Sequence, residues 1–298
     1  MPSAKLKNYL HLHFLVFIAG FTAILGELIS IEAIPLVWYR MVFALIMIAI
    51  FAIITKAKLR ISFASIFKLS IAGIIIALHW ITFFGSIKVS NISIALVMFS
   101  TGAFFASLIE PIIFKRKIIK YELVFGVLVM VGVYIVTQSE FHYLSGILLG
   151  ILSAFLASLF AVFNGKFLEQ HTATVITFYE FISGVIFISL YLLFAHSGFS
   201  ESFFDISVSD LTYLLILASI CTAYAFIASV YVMRYLSPYT VVLTYNLEPV
   251  YGIILAILLF PEKEQMSPKF YLGAFIIIAV VMLNGILKHS NNVKRKRS

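Results

Sequence analysis

Glu248 is the residue in this sequence best placed to do chemistry. It stands inside a long apolar run, about 14 Å from either end at 1.5 Å per helical residue, and Pro249 follows it. Proline lacks an N–H and clashes with the preceding turn, so a helix breaks there and carbonyls are freed. An ionisable group inside a bilayer costs about 2.5–3.5 kcal/mol on insertion scales, so its presence needs a reason. An acid at such a break can bind a cationic group or carry a proton. The plain alternative is a kink with the acid bonded to nearby backbone. Tyr245 and Asn246 precede it and add a hydroxyl and an amide to the same turn.

His79 and Trp80 form a second polar pair inside another apolar run, with Thr82 close by. Imidazole titrates near neutrality, and indole offers a stacking face and one donor. A packing histidine satisfied by its neighbours competes with a binding role. Arg40 lies about 9 Å inside its own run. Glu27, at the end of the run before, is positioned to pair with it, and a structural ion pair is preferred there over contact with a substrate carboxylate. Glu180 lies about 10 Å inside the seventh run, where a gating or second-site role competes with a structural one. Span six carries Gly146, Gly150, Ala154 and Ser158 at four-residue spacing, a small-residue stripe that allows close helix packing. Asn91-Ile92-Ser93 matches a glycosylation acceptor but abuts a span, which makes the match accidental.

Enzyme motifs are missing: no Gly-x-Ser-x-Gly elbow, no His-Glu-x-x-His and no phosphate-binding loop. An enzyme is therefore not expected, nor a bound cofactor. Cys221 is the single cysteine, so no disulfide within the chain and no cysteine metal site is expected.

The elements that must hold these residues are membrane spans. The chain is 62% hydrophobic and only 11% charged, outside the range of a soluble domain. Ten apolar runs are centred near Ala23, Leu45, Ala77, Ala103, Val129, Phe155, Ile186, Ala223, Ile253 and Ile277. With a cytoplasmic N-terminus, all 21 Lys and Arg except Arg40, Lys88, Lys263 and Lys269 fall on the cytoplasmic side. Retention of basic residues on that side sets orientation during insertion, so the pattern fixes ten spans with both termini inside. The net charge of +8 then describes one face. The tail Lys294-Arg295-Lys296-Arg297 is expected against anionic lipid headgroups rather than nucleic acid.

Two very short links, Lys88 to Asn91 and Tyr235 to Pro238, force tight hairpins. Sliding the chain by 147 residues lays Ser90 on Ser237 and Gly126 on Gly273, and a shift of 140 lays Trp38-Tyr39-Arg40 on Phe178-Tyr179-Glu180. The expected fold is an all-α membrane protein of ten transmembrane helices in two inverted five-helix repeats. The halves are 1–140 and 141–288, with a basic tail at 289–298. An odd number of spans per repeat places the halves in opposite orientation, with a substrate site near midplane between them.

The Lys88-Val89-Ser90-Asn91 link, Asn246-Leu247-Glu248-Pro249 and the Phe260-Pro261-Glu262 turn before Gly273 resemble the drug/metabolite transporter superfamily, nearest to its EamA-type exporters. The proline usual in span four of that family would fall near Gly102, and the acid usual after it near Lys115; both are missing here. The resemblance implies a bacterial inner-membrane carrier that exports small metabolites, often amino acids or related compounds, by alternating access. The substrate site expected between the halves comprises His79, Trp80, Tyr245, Asn246 and Glu248, with Arg40 as an anion contact. Proton coupling through Glu248 or His79 is open on this reading. A lipid or lipid-linked flippase, and more remotely an intramembrane enzyme, are the alternatives.

Overall fold

Apolar runs of this length form helices because a bilayer offers no water to unpaired backbone groups, so every N–H and C=O must be satisfied within its own segment. The computed structural model describes residues 4–115, 120–195, 198–232, 235–236, 244–245 and 247–295. Its elements are helical throughout the described residues: α1 (Ala4–Leu28), α2 (Ala33–Ile54), α3 (Phe63–Val89), α4 (Ile92–Phe99), α5 (Gly102–Ile113), α6 (Lys120–Ser139), α7 (Leu144–Phe167) and α8 (Ala173–Ala195). Beyond them come the short α9 (Glu201–Phe204), α10 (Val208–Ala218), a π-helical turn (Ser219–Tyr224), α11 (Ala225–Val232), α12 (Glu248–Leu259) and α13 (Pro268–Arg295).

Among the described residues seven stretches are long and apolar enough to cross a membrane, and three shorter apolar helices follow the same character: Val124–Ser139, Glu248–Leu259 and Pro268–Asn284. The ninth expected span is described only from Glu248 onward, apart from Thr244, Tyr245 and Leu247. Asn246 and the link ending at Pro238 lie outside the described residues, as do Lys296 and Arg297 of the tail.

The fourth span breaks at Ser100–Thr101, between α4 and α5, although no proline stands there. Hydroxyls add second bonds at the break: Ser100 Oγ donates to Leu96 O at 3.0 Å and Thr101 Oγ1 to Met98 O at 2.6 Å, beside the backbone N–H of the same residues. The shift of 147 lays Glu248, where α12 opens, on Thr101, beside the break between α4 and α5.

Packing follows a pattern across the two halves. α3 lies against α7 and α8, α1 against α11 and α12, α2 against α8, α10 and the π turn, α4 and α5 against α7, and α6 against α13. Exchanging the helices of residues 4–139 for those of residues 144–295, taken in order, turns each of these pairings into another member of the set. The small-residue stripe of α7 faces α3 to α5: Ser86 Oγ donates to Gly146 O at 2.7 Å and Ser158 Oγ to Gly102 O at 2.7 Å. The tyrosines also correspond. Tyr39 donates its hydroxyl to Phe203 O at 3.0 Å, and Tyr179, its counterpart at a shift of 140, donates to Leu59 O at 3.0 Å.

Candidate functional site

Arg40 is seven residues into α2 and only 3% exposed. Burial of a guanidinium at that depth demands specific partners, and two elements provide them. Its guanidinium carbon sits 3.9 Å over the Trp80 ring of α3 and 5.5 Å from the Phe84 ring. A desolvated cation over an indole face is worth about 2 kcal/mol. Nε donates to Thr222 Oγ1 at 2.8 Å. Thr222 belongs to the π turn, whose extra residue lets its hydroxyl donate to Leu217 O, five residues back, at 2.7 Å. With its hydrogen so committed, the oxygen is left to accept from Arg40. π turns of this kind occur frequently at functional sites. Arg40 Nη1 remains buried without a partner among the described residues.

Glu248 opens α12 beside buried Pro249. It lies within electrostatic reach of Arg40 without direct ion-pair contact, and the Cys221 thiol is also within reach of the guanidinium. Helix α1 comes close here because Gly20 carries no side chain: a β-carbon on it would stand 3.0 Å from Gly252 N and 3.1 Å from Glu248 O. Tyr245, half-buried, shares a 2.6 Å hydrogen bond with Ser229 of α11. The first half thus contributes Arg40 and Trp80, and the second half Thr222, Cys221 and Glu248.

Trp80 is buried, edge-on to Phe181 at 5.6 Å and to Phe226 at 6.1 Å. His79, its neighbour in sequence, points elsewhere. Its Nδ1 lies 3.0 Å from Ser153 O and 2.9 Å from Ser153 Oγ of α7, and its ring stacks on Phe99 at 5.5 Å. The two residues expected as one pair therefore face different helices, with His79 joining α3 to α7.

Glu27 does not pair with Arg40. It accepts from Lys263 Nζ at 2.6 Å, because Glu27 lies in the last turn of α1 while Arg40 lies about 10 Å down α2. The hydrogen bond to the Glu27 carboxylate raises the Lys263 ammonium above its usual value of 10.5. This ion pair is part of a network closing the bundle end where α1 and α3 finish. Glu264, 2% exposed, accepts from Ile92 N at 3.0 Å and Ser93 N at 2.9 Å. A carboxylate at a helix N-terminus meets both unpaired N–H groups and the positive end of the dipole. Asn91, buried, caps the same helix by accepting from Ile94 N at 2.9 Å and also donates to Lys263 O at 3.3 Å. Asp210 accepts from Ser30 N at 2.7 Å and from Ser30 Oγ at 2.6 Å; Lys88 donates to Ile29 O. Glu140 accepts from Ser267 N at 3.0 Å. Replacing Glu264 by Ala leaves two helix N–H groups without their acceptor, at about 1–3 kcal/mol each. A lowered thermal midpoint of the purified protein, partly restored by Glu264→Gln, is the expected reading.

The sequence did not single out Thr222, Glu264 or Asp210, and Cys221 stood out only as the lone cysteine. Glu264 and Asp210 had a signal available, as carboxylates a few residues from expected span ends, but their partners lie far away in the chain. At the opposite end of the bundle a cavity of about 130 Å³ is lined by Tyr9, His13, Thr244, Leu247, Met282 and Ile286. Among the described residues no group of three or more His, Cys, Asp or Glu is arranged to hold a metal ion.

Comparison with known proteins adds a family and a fold. Residues 7–138 and again 144–286 match the EamA-like transporter family. No curated protein matches the chain. Among solved structures 26 chains match. One of them, a crystal structure of a protein, superposes with a TM-score of 0.65 at 13% identity, covering 95% of this chain and 99% of its own. At that identity the likeness shows a shared fold alone.

Proposed function

The chain belongs to the EamA-like transporter family, a multi-pass membrane protein with a small-molecule substrate, and from that premise we propose that it exports small metabolites by alternating access. It is a secondary active carrier of ten transmembrane helices in two inverted five-helix repeats, residues 1–140 and 141–288, followed by the basic tail 289–298. It lies in the bacterial inner membrane with both termini cytoplasmic. The distribution of Lys and Arg supports that orientation. The exchange symmetry of the helix pairings supports the repeat, and opposite orientation follows from an odd number of spans.

The observation that carries the reading is the Arg40–Glu248 arrangement. Arg40 and Glu248, one from each half, lie within electrostatic reach of one another without an ion-pair contact, and among the described residues one guanidinium nitrogen is left unpartnered. A molecule with a carboxylate and an ammonium group would meet Arg40 and Glu248 at once, with Trp80 offering a stacking face. Amino acids and related compounds have that chemistry. Tyr245 lies within electrostatic reach of Glu248 and joins the substrate site on this reading, as does Asn246, which lies outside the described residues, while His79 supports α3 from behind. The carboxylate–amide network at the end of α1 and α3 is the outer gate in its closed state. Opening it requires breaking the Glu27–Lys263 pair and withdrawing Glu264 from α4, while the other end closes. The basic tail rests on anionic headgroups.

The test is metabolite profiling of the medium from cells overexpressing the protein. One or a few small zwitterionic compounds should rise with the wild type and stay at the empty-vector level with Glu248→Gln. A medium unchanged by the wild type overturns the reading.

A further inference from the structure

Glu180 is a second deeply placed carboxyl group, and the Arg40–Glu248 arrangement makes no use of it. It is 1% exposed, seven residues into α8. Its backbone presses on Gly73 of α3 so closely that a β-carbon on Gly73 would collide with it. The one side-chain hydrogen bond to its carboxyl group comes from Asn164 of α7. Among the described residues Oε1 has no partner, and neither has the amide oxygen of Asn164.

Cations do not answer this charge among the described residues. On α2, Arg40 is turned to Trp80 and Thr222. On α3, Lys68 is exposed, His79 is held by Ser153 of α7, and Lys88 reaches Ile29 at the far end. On α7, Lys166 pairs with Glu169 at 2.8 Å. Nearby hydroxyls are committed too: Ser183 donates to Ser70 Oγ at 2.9 Å, and Tyr179 to Leu59 O.

Position gives the site its meaning. A shift of 140 residues lays Glu180 on Arg40, and the tyrosine before each donates to a main-chain carbonyl of the other half. Each half therefore buries one ionisable side chain at the same place in its second helix. Arg40 has an indole and a threonine for its charge, whereas a bare Glu180 carboxylate has one amide. A proton on Oε1 removes the charge that lacks donors, and no other group needs to move. A metal cation is a poor fit, because hard cations take about six oxygen ligands and the buried pair offers two unpartnered ones.

We propose that Glu180, held by Asn164, is a proton-binding site distinct from the Arg40–Glu248 site, and that it loads and releases one proton per transport cycle. The coupling role rests on the transporter reading above; the proton site does not. In each cycle Oε1 takes a proton from water, becomes a neutral acid, and returns the proton to water on the other side.

Infrared difference spectroscopy of protein carrying carbon-13 glutamate, reconstituted in liposomes and stepped from acidic to alkaline pH, reads the site directly. A protonated-carboxyl stretch should disappear on alkalinisation, be missing in Glu180→Gln and persist in Glu248→Gln. Asn164→Leu should shift the midpoint of that titration. A band unchanged in Glu180→Gln, or one that never titrates, overturns the proposal. In the same liposomes, with a mixture of labelled amino acids as probe, Glu180→Gln should keep exchange but lose accumulation driven by a pH gradient. Accumulation undiminished in Glu180→Gln overturns the coupling role. A wild type that titrates at Glu180 yet moves no amino acid refutes the transport reading and the coupling role, and leaves the proton site standing.

Discussion

Replacing Arg40 by Met should cut transport by about 30-fold or more while leaving the folded protein as stable as before, to within about 1 kcal/mol. The loss follows from removing one partner of a buried charge recognition, typically 2–5 kcal/mol, with each 1.4 kcal/mol worth tenfold. The unchanged stability follows from the opposite side of the balance. Arg40 is 3% exposed and its Nη1 has no partner among the described residues, so the folded state bears the cost of burying a charge incompletely satisfied. Replacing buried ions by apolar groups of similar volume is often neutral or stabilising. A residue that costs stability and supports activity is what a binding site produces. Arg40→Lys should recover little, because an ammonium cannot bond Thr222 Oγ1 and lie flat over Trp80 together. Thermal unfolding of the purified variants, beside efflux of the compound found by profiling, separates the two effects. A variant that unfolds but transports normally while folded would assign Arg40 to structure alone.

Glu248→Gln is expected to be as damaging to transport, again by about 30-fold or more, with the helical fold retained. Glutamine keeps the shape and a carbonyl acceptor at the start of α12 but carries no charge for an ammonium group. Glu248→Asp should retain part of the activity. The double variant Arg40→Met/Glu248→Gln should be little worse than either single one, since residues that act on one ligand are not additive. Efflux measured for the four proteins at equal membrane abundance checks this. Multiplicative losses would mean that the two side chains serve separate steps.

What the sequence disclosed and what it hid divide along physical lines. Ionisable residues in apolar runs stand out because membranes penalise them, so Arg40, Glu180 and Glu248 were visible before any coordinates. The repeat was visible as rhythm, and the Tyr39 and Tyr179 bonds fall where the shift of 140 puts them. The break between α4 and α5 was hidden, because no proline marks it and Ser100 and Thr101, whose hydroxyls bond back to Leu96 O and Met98 O, read as ordinary helix residues. The π turn was hidden as well: Ser-Ile-Cys-Thr-Ala-Tyr reads as ordinary helix, and only the bond from Arg40 shows why Thr222 matters. Adjacency misled for His79 and Trp80, since neighbours on a helix point about 100° apart. Glu27 was assigned to Arg40 by nearness in sequence, whereas its partner Lys263 lies 236 residues away. Contacts at that range leave no mark on local pattern.

Double electron–electron resonance across the gated end tests alternating access most directly. With the single native cysteine removed as Cys221→Ser, spin labels at Leu28→Cys and Glu262→Cys mark two exposed positions on opposite sides of the Glu27–Lys263 pair. Two distance populations are expected in liposomes, a short one matching the closed network and a longer one, with their proportions changed by pH and by the transported compound. One short distance under every condition would mean that this end never opens, and would contradict transport by alternating access.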